Sequence, residues 1–180
     1  MTLTTPRPDH EVAARIDEAK SPVTVAAGPY GHPVHPILVT VPIGAWVASL
    51  VFDVASRLDG DGAPALVEGA YWLIGIGIVG ALAAALFGLL DLLAIPRHTR
   101  AMRFGLTHLV LNLSVVAMFV GNLLWRRDTF QEATETATGP LALSVVALAV
   151  LAVSGWIGGM LAYRFGVRVA SEEVQAEGYR

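Results

Sequence analysis

The chain has 180 residues, of which 54% are hydrophobic and 15% charged, with a mean hydropathy of +0.60. A soluble domain carries about 25% charged residues, and the shortfall is what a lipid-facing surface demands, since a charge at mid-bilayer costs roughly 2.5–3.5 kcal/mol. The net charge of −3 gives no reason to expect a nucleic-acid partner, and the absence of cysteine excludes disulfides, thiolate metal sites, iron–sulfur ligation and cysteine nucleophiles together.

Residues 1–30 read as a cytoplasmic N-terminal tail. They are polar and proline-punctuated and contain no apolar signal segment. Glu11 to Lys20 has the pattern of a short amphipathic helix, with Val12, Ile16 and Ala19 on one side, which Pro22, Gly28 and Pro29 then break. The membrane domain is placed at 31–168 and a cytoplasmic C-terminal tail at 169–180.

The first span is predicted over 36–57. Pro36 suits the first helical position, where its missing N–H would be unpaired anyway, and this makes His35 the cap. Pro42 lies inside the run and predicts a kink that frees the carbonyl of Leu38. His35, Pro42, Trp46, Ser49 and Asp53 share one side of the wheel, which must face other helices because Asp53 is costly in lipid.

The second span is predicted over 66–93, longer than a 30 Å hydrocarbon core requires. Gly77, Gly80, Ala84, Gly88 and Asp91 share a face whose small residues let a neighbouring backbone approach closely. The following loop carries Arg97, His98, Arg100 and Arg103 without an acid. The third span, 104–125, places His108, Asn112 and Asn122 on one face. The fourth, 140–163, holds Gly155-x-x-x-Gly159, a second close-packing surface, and a glycine surface that the bundle leaves free would suit a homo-oligomer contact. The expected fold is all-α: an integral membrane four-helix bundle.

With four spans, both termini and the second loop share a side. Arg7, Arg15, Lys20, Arg97, Arg100, Arg103, Arg164, Arg168 and Arg180 fall there, against Arg57, Arg126 and Arg127 opposite. That asymmetry puts both termini in the cytoplasm. It also gathers His35, Asp91, His108 and Met160 at one depth near the cytoplasmic surface, with His32, His98 and the three loop arginines just above. Asp53 lies about 27 Å further along the first helix, in an outer polar layer with Asn122.

His32-x-x-His35 in a proline frame has the three-residue repeat of polyproline, so both imidazoles can project the same way. Such a pair can hold a divalent metal, or one imidazole can ligate haem iron. The alternative is that the prolines fix how the chain meets the first helix and the histidines cap backbone donors. His108 is a functional candidate as an intramembrane ionisable group; alternatively it locks the bundle by bonding to Asp91 or to a backbone carbonyl. A b-type haem between His35 and His108 would find Arg97, Arg100 or Arg103 for its propionates. Asp91 is otherwise read as a partner of Arg97 or Arg103, and Asp53 as a partner of Arg57 one turn on. Trp46, Trp72, Trp125 and Trp156 are read as lipid or interface aromatics. Gly75 and Gly77 lie inside a span and make no phosphate loop. No serine–histidine–acid order or carboxylate pair suggests hydrolysis, so no catalytic residue is assigned.

The stretch Gly31 to Gly44, G-H-P-V-H-P-I-L-V-T-V-P-I-G, resembles the opening signature of a bacterial membrane family, domain of unknown function 2231. The likeness continues through Phe52-Asp53, Arg103 to Asn112 and Gly158 to Val167. It implies a four-helix protein of the bacterial plasma (inner) membrane. Some members are similar to partners of Rieske-type modules or are fused to them, which implies a redox partner subunit. This chain departs from a G-G-H-L-x-Y pattern associated with many members by placing Met160 where histidine is common; methionine is still an axial haem ligand. Three functions follow: an accessory or electron-transfer component with a haem- or metal-binding histidine site, a proton- or ion-handling transporter using Asp91, His108 and Asp53, and a structural anchor for a partner subunit.

Overall fold

The computed structural model describes residues 10–20, 24–25, 28, 33–59 and 61–180, with the side chain of Glu173 excepted. The described residues form helices α1 (His10–Lys20), α2 (Val34–Leu38), α3 (Thr40–Leu58), α4 (Pro64–Leu93), α5 (Arg100–Arg126), α6 (Thr138–Tyr163) and α7 (Glu172–Glu177). Four of the resulting segments are long and apolar enough to cross a membrane: Val34–Leu58, Pro64–Leu93, Arg100–Arg126 and Thr138–Tyr163. The chain is a multi-pass membrane protein.

Proline and small polar residues set the helix boundaries. Pro42 has no N–H to give Leu38, and the first span divides near there: α2 ends at Leu38, Val39 forms a turn, and α3 begins at Thr40. The ladder still bridges the break through Val39 N–H to His35 O and Ile43 N–H to Val39 O. His35 is therefore a helical residue of α2, whose cap is Pro33; the expectation that His35 caps the span is corrected. α4 opens with Pro64, and α5 is capped by Thr99, whose side chain accepts from Met102 N–H. At 30 residues, α4 is about 45 Å long, so it tilts or extends beyond the hydrocarbon. After α6, Gly166 takes a left-handed φ of 70° and turns the chain back.

α3 packs on α4 and α5 on α6; contacts of α4 with α5 and of α3 with α6 close the ring. α3 and α5 thus face each other across a diagonal. The core on that diagonal is Trp46 stacked on Phe119, with centroids 4.3 Å apart, surrounded by Ile74, Ile78, Val115 and Ala147. Trp46 is 2% exposed and donates its indole N–H to Ile74 O. Its assignment as a lipid-facing aromatic is overturned. Gly77 is the reason: a Cβ there would lie 2.2 Å from the indole nitrogen, so the ring occupies the space a side chain would need. Trp72, Trp125 and Trp156 are exposed, as expected.

The two hairpins repeat each other. Asp53 meets Arg126 across a separation of 73 residues, and the same step relates His35 to His108 and Trp46 to Phe119, which also meet. It relates Phe52, packed on Gly69, to Trp125, packed on Gly139. Because the pairs meet at both ends of the first span (α2 with α3) and of α5, these segments run parallel and an approximate two-fold axis passes down the bundle between them. Three layers lie on it in order: a charged pair, an aromatic pair and a histidine pair.

Candidate functional site

The outer layer is a buried ion pair. Arg126 reaches Asp53 with both terminal nitrogens, at 2.6 and 2.8 Å, and neither residue is more than 4% exposed. Thr136 Oγ1 donates to the same carboxylate at 2.8 Å, and Arg126 Nε donates to Asn122 Oδ1 at 2.7 Å. Asn122 in turn donates to Pro140 O and Ser144 Oγ. The expected outer association of Asp53 with Asn122 runs through Arg126. Arg57, expected to pair with Asp53, instead donates to Thr136 O and Thr138 Oγ1. A third span over 104–125 stops one residue short of Arg126, which is the last residue of α5. Its spacing of four from Asn122, on the inward face, was the signal that places it inside.

The inner layer is built around His35 and His108. Their ring centroids are 6.5 Å apart and their planes perpendicular. His35 Nδ1 lies 2.9 Å from Ala84 O, and His108 Nδ1 lies 2.8 Å from Ser154 O. A carbonyl oxygen only accepts, so each Nδ1 carries the ring proton and each Nε2 presents a lone pair. No hydrogen bond among the described residues uses either Nε2. Each ring also lies against a glycine four residues beyond its carbonyl partner. A Cβ on Gly88 would lie 2.9 Å from His35, and one on Gly158 would lie 3.0 Å from His108. The two histidines are thus seated alike, His35 on α4 and His108 on α6, except that Ser154 Oγ also lies 3.0 Å from His108 Nδ1, where Ala84 offers His35 no hydroxyl.

Asp91 joins this layer, within electrostatic reach of His35. Its partner is Arg168, at 2.9 Å; the expected pairing with Arg97 or Arg103 is corrected. Arg168 follows the turn at Gly166 and has a left-handed φ of 59°. Its backbone N–H donates to Ala19 O, so one residue ties α1 and the C-terminal segment to the end of α4. Asn112 donates to His108 O. Met160 is half-buried on α6, and neither a hydrogen bond nor a ring contact joins its side chain to the histidines. His32 lies outside the described residues. Arg97, Arg100 and Arg103 are exposed and line two surface hollows, neither of which includes His35 or His108. Among the described residues, no cluster of three or more His, Asp or Glu has metal-binding geometry.

The axis pairs differ in one respect. Asp53 and Arg126 satisfy each other, and Trp46 and Phe119 stack in contact. His35 and His108 do neither: each is anchored to its own hairpin, and the nitrogens left over belong to a third party or to none. The fold is that of a four-span membrane protein, with a pair of imidazoles on an internal pseudo-symmetry axis. Residues 31–171 match the family described as predicted membrane protein (DUF2231), and the chain belongs to it. Neither the curated proteins nor the solved structures contain a match to the chain.

Proposed function

We propose that this protein is an electron-transfer component of the bacterial plasma membrane, in which His35 and His108 would together hold a b-type haem. The observation that carries the reading is the histidine pair itself. A metal bonded to two imidazoles at about 2 Å separates their ring centres by about 6 Å, and the separation here is 6.5 Å. Both Nδ1 atoms are held by backbone carbonyls, the support that fixes tautomer and orientation in ligating histidines. Two protein ligands suit a haem, whose macrocycle supplies the other four nitrogens; a structural zinc takes four ligands from the protein. Haem bound there would supply one-electron chemistry, and this chain would supply the two imidazole nitrogens that hold it and their orientation.

The histidine end is assigned to the cytoplasm from the excess of Lys and Arg there. The proton-relay alternative is less well supported. A path from Asp91 to Asp53 crosses the stacked Trp46–Phe119 pair with Ile74 and Val115, each at most 2% exposed, and Asp53 is already neutralised by Arg126. The test is the absorption spectrum of the detergent-purified protein from haem-sufficient cells. A Soret band lost in both His35→Ala and His108→Ala supports the reading. A band that survives either substitution at full intensity removes that residue as a ligand.

A further inference from the structure

We propose that the arginine-bearing surface at the start of α5 is a binding site for an anionic phospholipid, separate from the histidine site. Two hollows adjoin there and share Arg103. One, of about 670 Å³, is lined by Arg97, His98, Thr99, Met102, Arg103 and Leu106. The other, of about 490 Å³, is lined by Arg100, Arg103, Phe104, Thr107 and Ile157. Arg97, Arg100 and Arg103 are exposed, and none of their guanidinium groups makes an ion pair or hydrogen bond among the described residues. No acidic residue occurs between Asp91 and Asp128, so no local carboxylate competes for them. The threonine hydroxyls are already committed: Thr99 donates to Pro96 O, and Thr107 to Arg103 O. The donors left for a ligand are guanidinium groups, which grip phosphate oxygens in a fork geometry.

The lower walls choose the source of that phosphate. Met102, Leu106, Phe104 and Ile157 are apolar, and Leu106 is 48% exposed. The arginines sit at the end of a membrane-crossing helix, at headgroup level. Moving down α5 from them, the surface changes from cationic to apolar within about two turns, the profile of a headgroup above its acyl chains. Free phosphate would use only the upper half. His98 adopts a left-handed φ of 64° within this loop.

Each arginine near an anionic surface contributes about 1 kcal/mol, a roughly fivefold change in affinity, so two contribute about thirtyfold. The test is lipid retention by the full-length protein in native mass spectrometry, with phosphatidylglycerol, cardiolipin and phosphatidylethanolamine added separately. The anionic lipids are expected to be retained over phosphatidylethanolamine. The preference is expected to fall about thirtyfold in Arg97→Gln/Arg103→Gln and about fivefold in Arg100→Gln, and to persist in Arg127→Gln at the opposite end. Equal retention of phosphatidylethanolamine, displacement by millimolar inorganic phosphate, or an unchanged preference in both arginine variants overturns the proposal. The readout is independent of haem, so loss of the histidine reading leaves it standing.

Discussion

Arg126→Gln tests the outer layer most sharply. The substitution removes both bonds to Asp53 and the Nε bond to Asn122. It leaves a carboxylate at 0% exposure whose remaining side-chain partner is Thr136 Oγ1. Removing one member of a buried pair costs about 3–5 kcal/mol, because the survivor keeps its desolvation penalty without the compensating charge. For a chain of this size that is a fall of roughly 6–20 °C in melting temperature. The neutral double variant Asp53→Asn/Arg126→Gln removes the stranded charge while keeping polar groups that hydrogen-bond. It is predicted to recover at least half of the single variant's loss. Thermal unfolding of the detergent-solubilised variants, followed by circular dichroism, measures both. A single variant that melts within 2 °C of the parent would refute the reasoning. So would a double variant as unstable as the single, since the loss would then come from shape rather than unpaired charge.

Three further outcomes follow from the packing. Gly77→Ala drives a methyl group into the indole of Trp46 and is predicted to cost about 1–3 kcal/mol, whereas Gly155→Ala, with nothing within 4 Å, is predicted to hold or raise the melting temperature in the same assay, since alanine suits a helix interior better than glycine. Gly88→Val and Gly158→Val press on the histidine rings and are predicted to weaken or abolish the Soret band at near-normal protein yield. Asp91→Asn breaks the pair with Arg168 and is predicted to speed proteolysis in the segment after α6 severalfold, read by limited digestion and mass spectrometry.

Much of the architecture was legible because lipid leaves few choices for an apolar backbone. Each of the four spans needed only hydropathy and length, and Pro42 announced the break between α2 and α3. The small-residue face of α4 was legible for the same reason: Gly77, Gly80 and Gly88 each leave room for a residue of the first span, namely Trp46, Val41 and His35. What the sequence concealed was pairing. Trp46 looks like an interface aromatic until Gly77 is seen beneath it. Asp53 has a plausible local partner in Arg57, and the favoured one is on another helix, where a guanidinium reaches both carboxylate oxygens. Asp91 likewise passes over the nearby loop arginines for Arg168, brought back by the turn at Gly166. The repeat was hidden because equivalent positions conserve a contact rather than a residue: Phe52 and Trp125, Ala84 and Ser154, Asp53 and Arg126. His35 and His108, seated on Gly88 and Gly158, are the polar pair that keeps the same residue type, and they mark the candidate site.

The central claim is that these two imidazoles share one ligand. Electron paramagnetic resonance of the oxidised, detergent-purified protein, with haem quantified on the same sample, tests it most directly. If both imidazoles hold one haem, each chain carries one b-type haem and gives a low-spin ferric signal, strongly anisotropic because the ring planes are at 90°. A protein from haem-sufficient cells with no stoichiometric haem, or a high-spin signal from a single axial histidine, would contradict it.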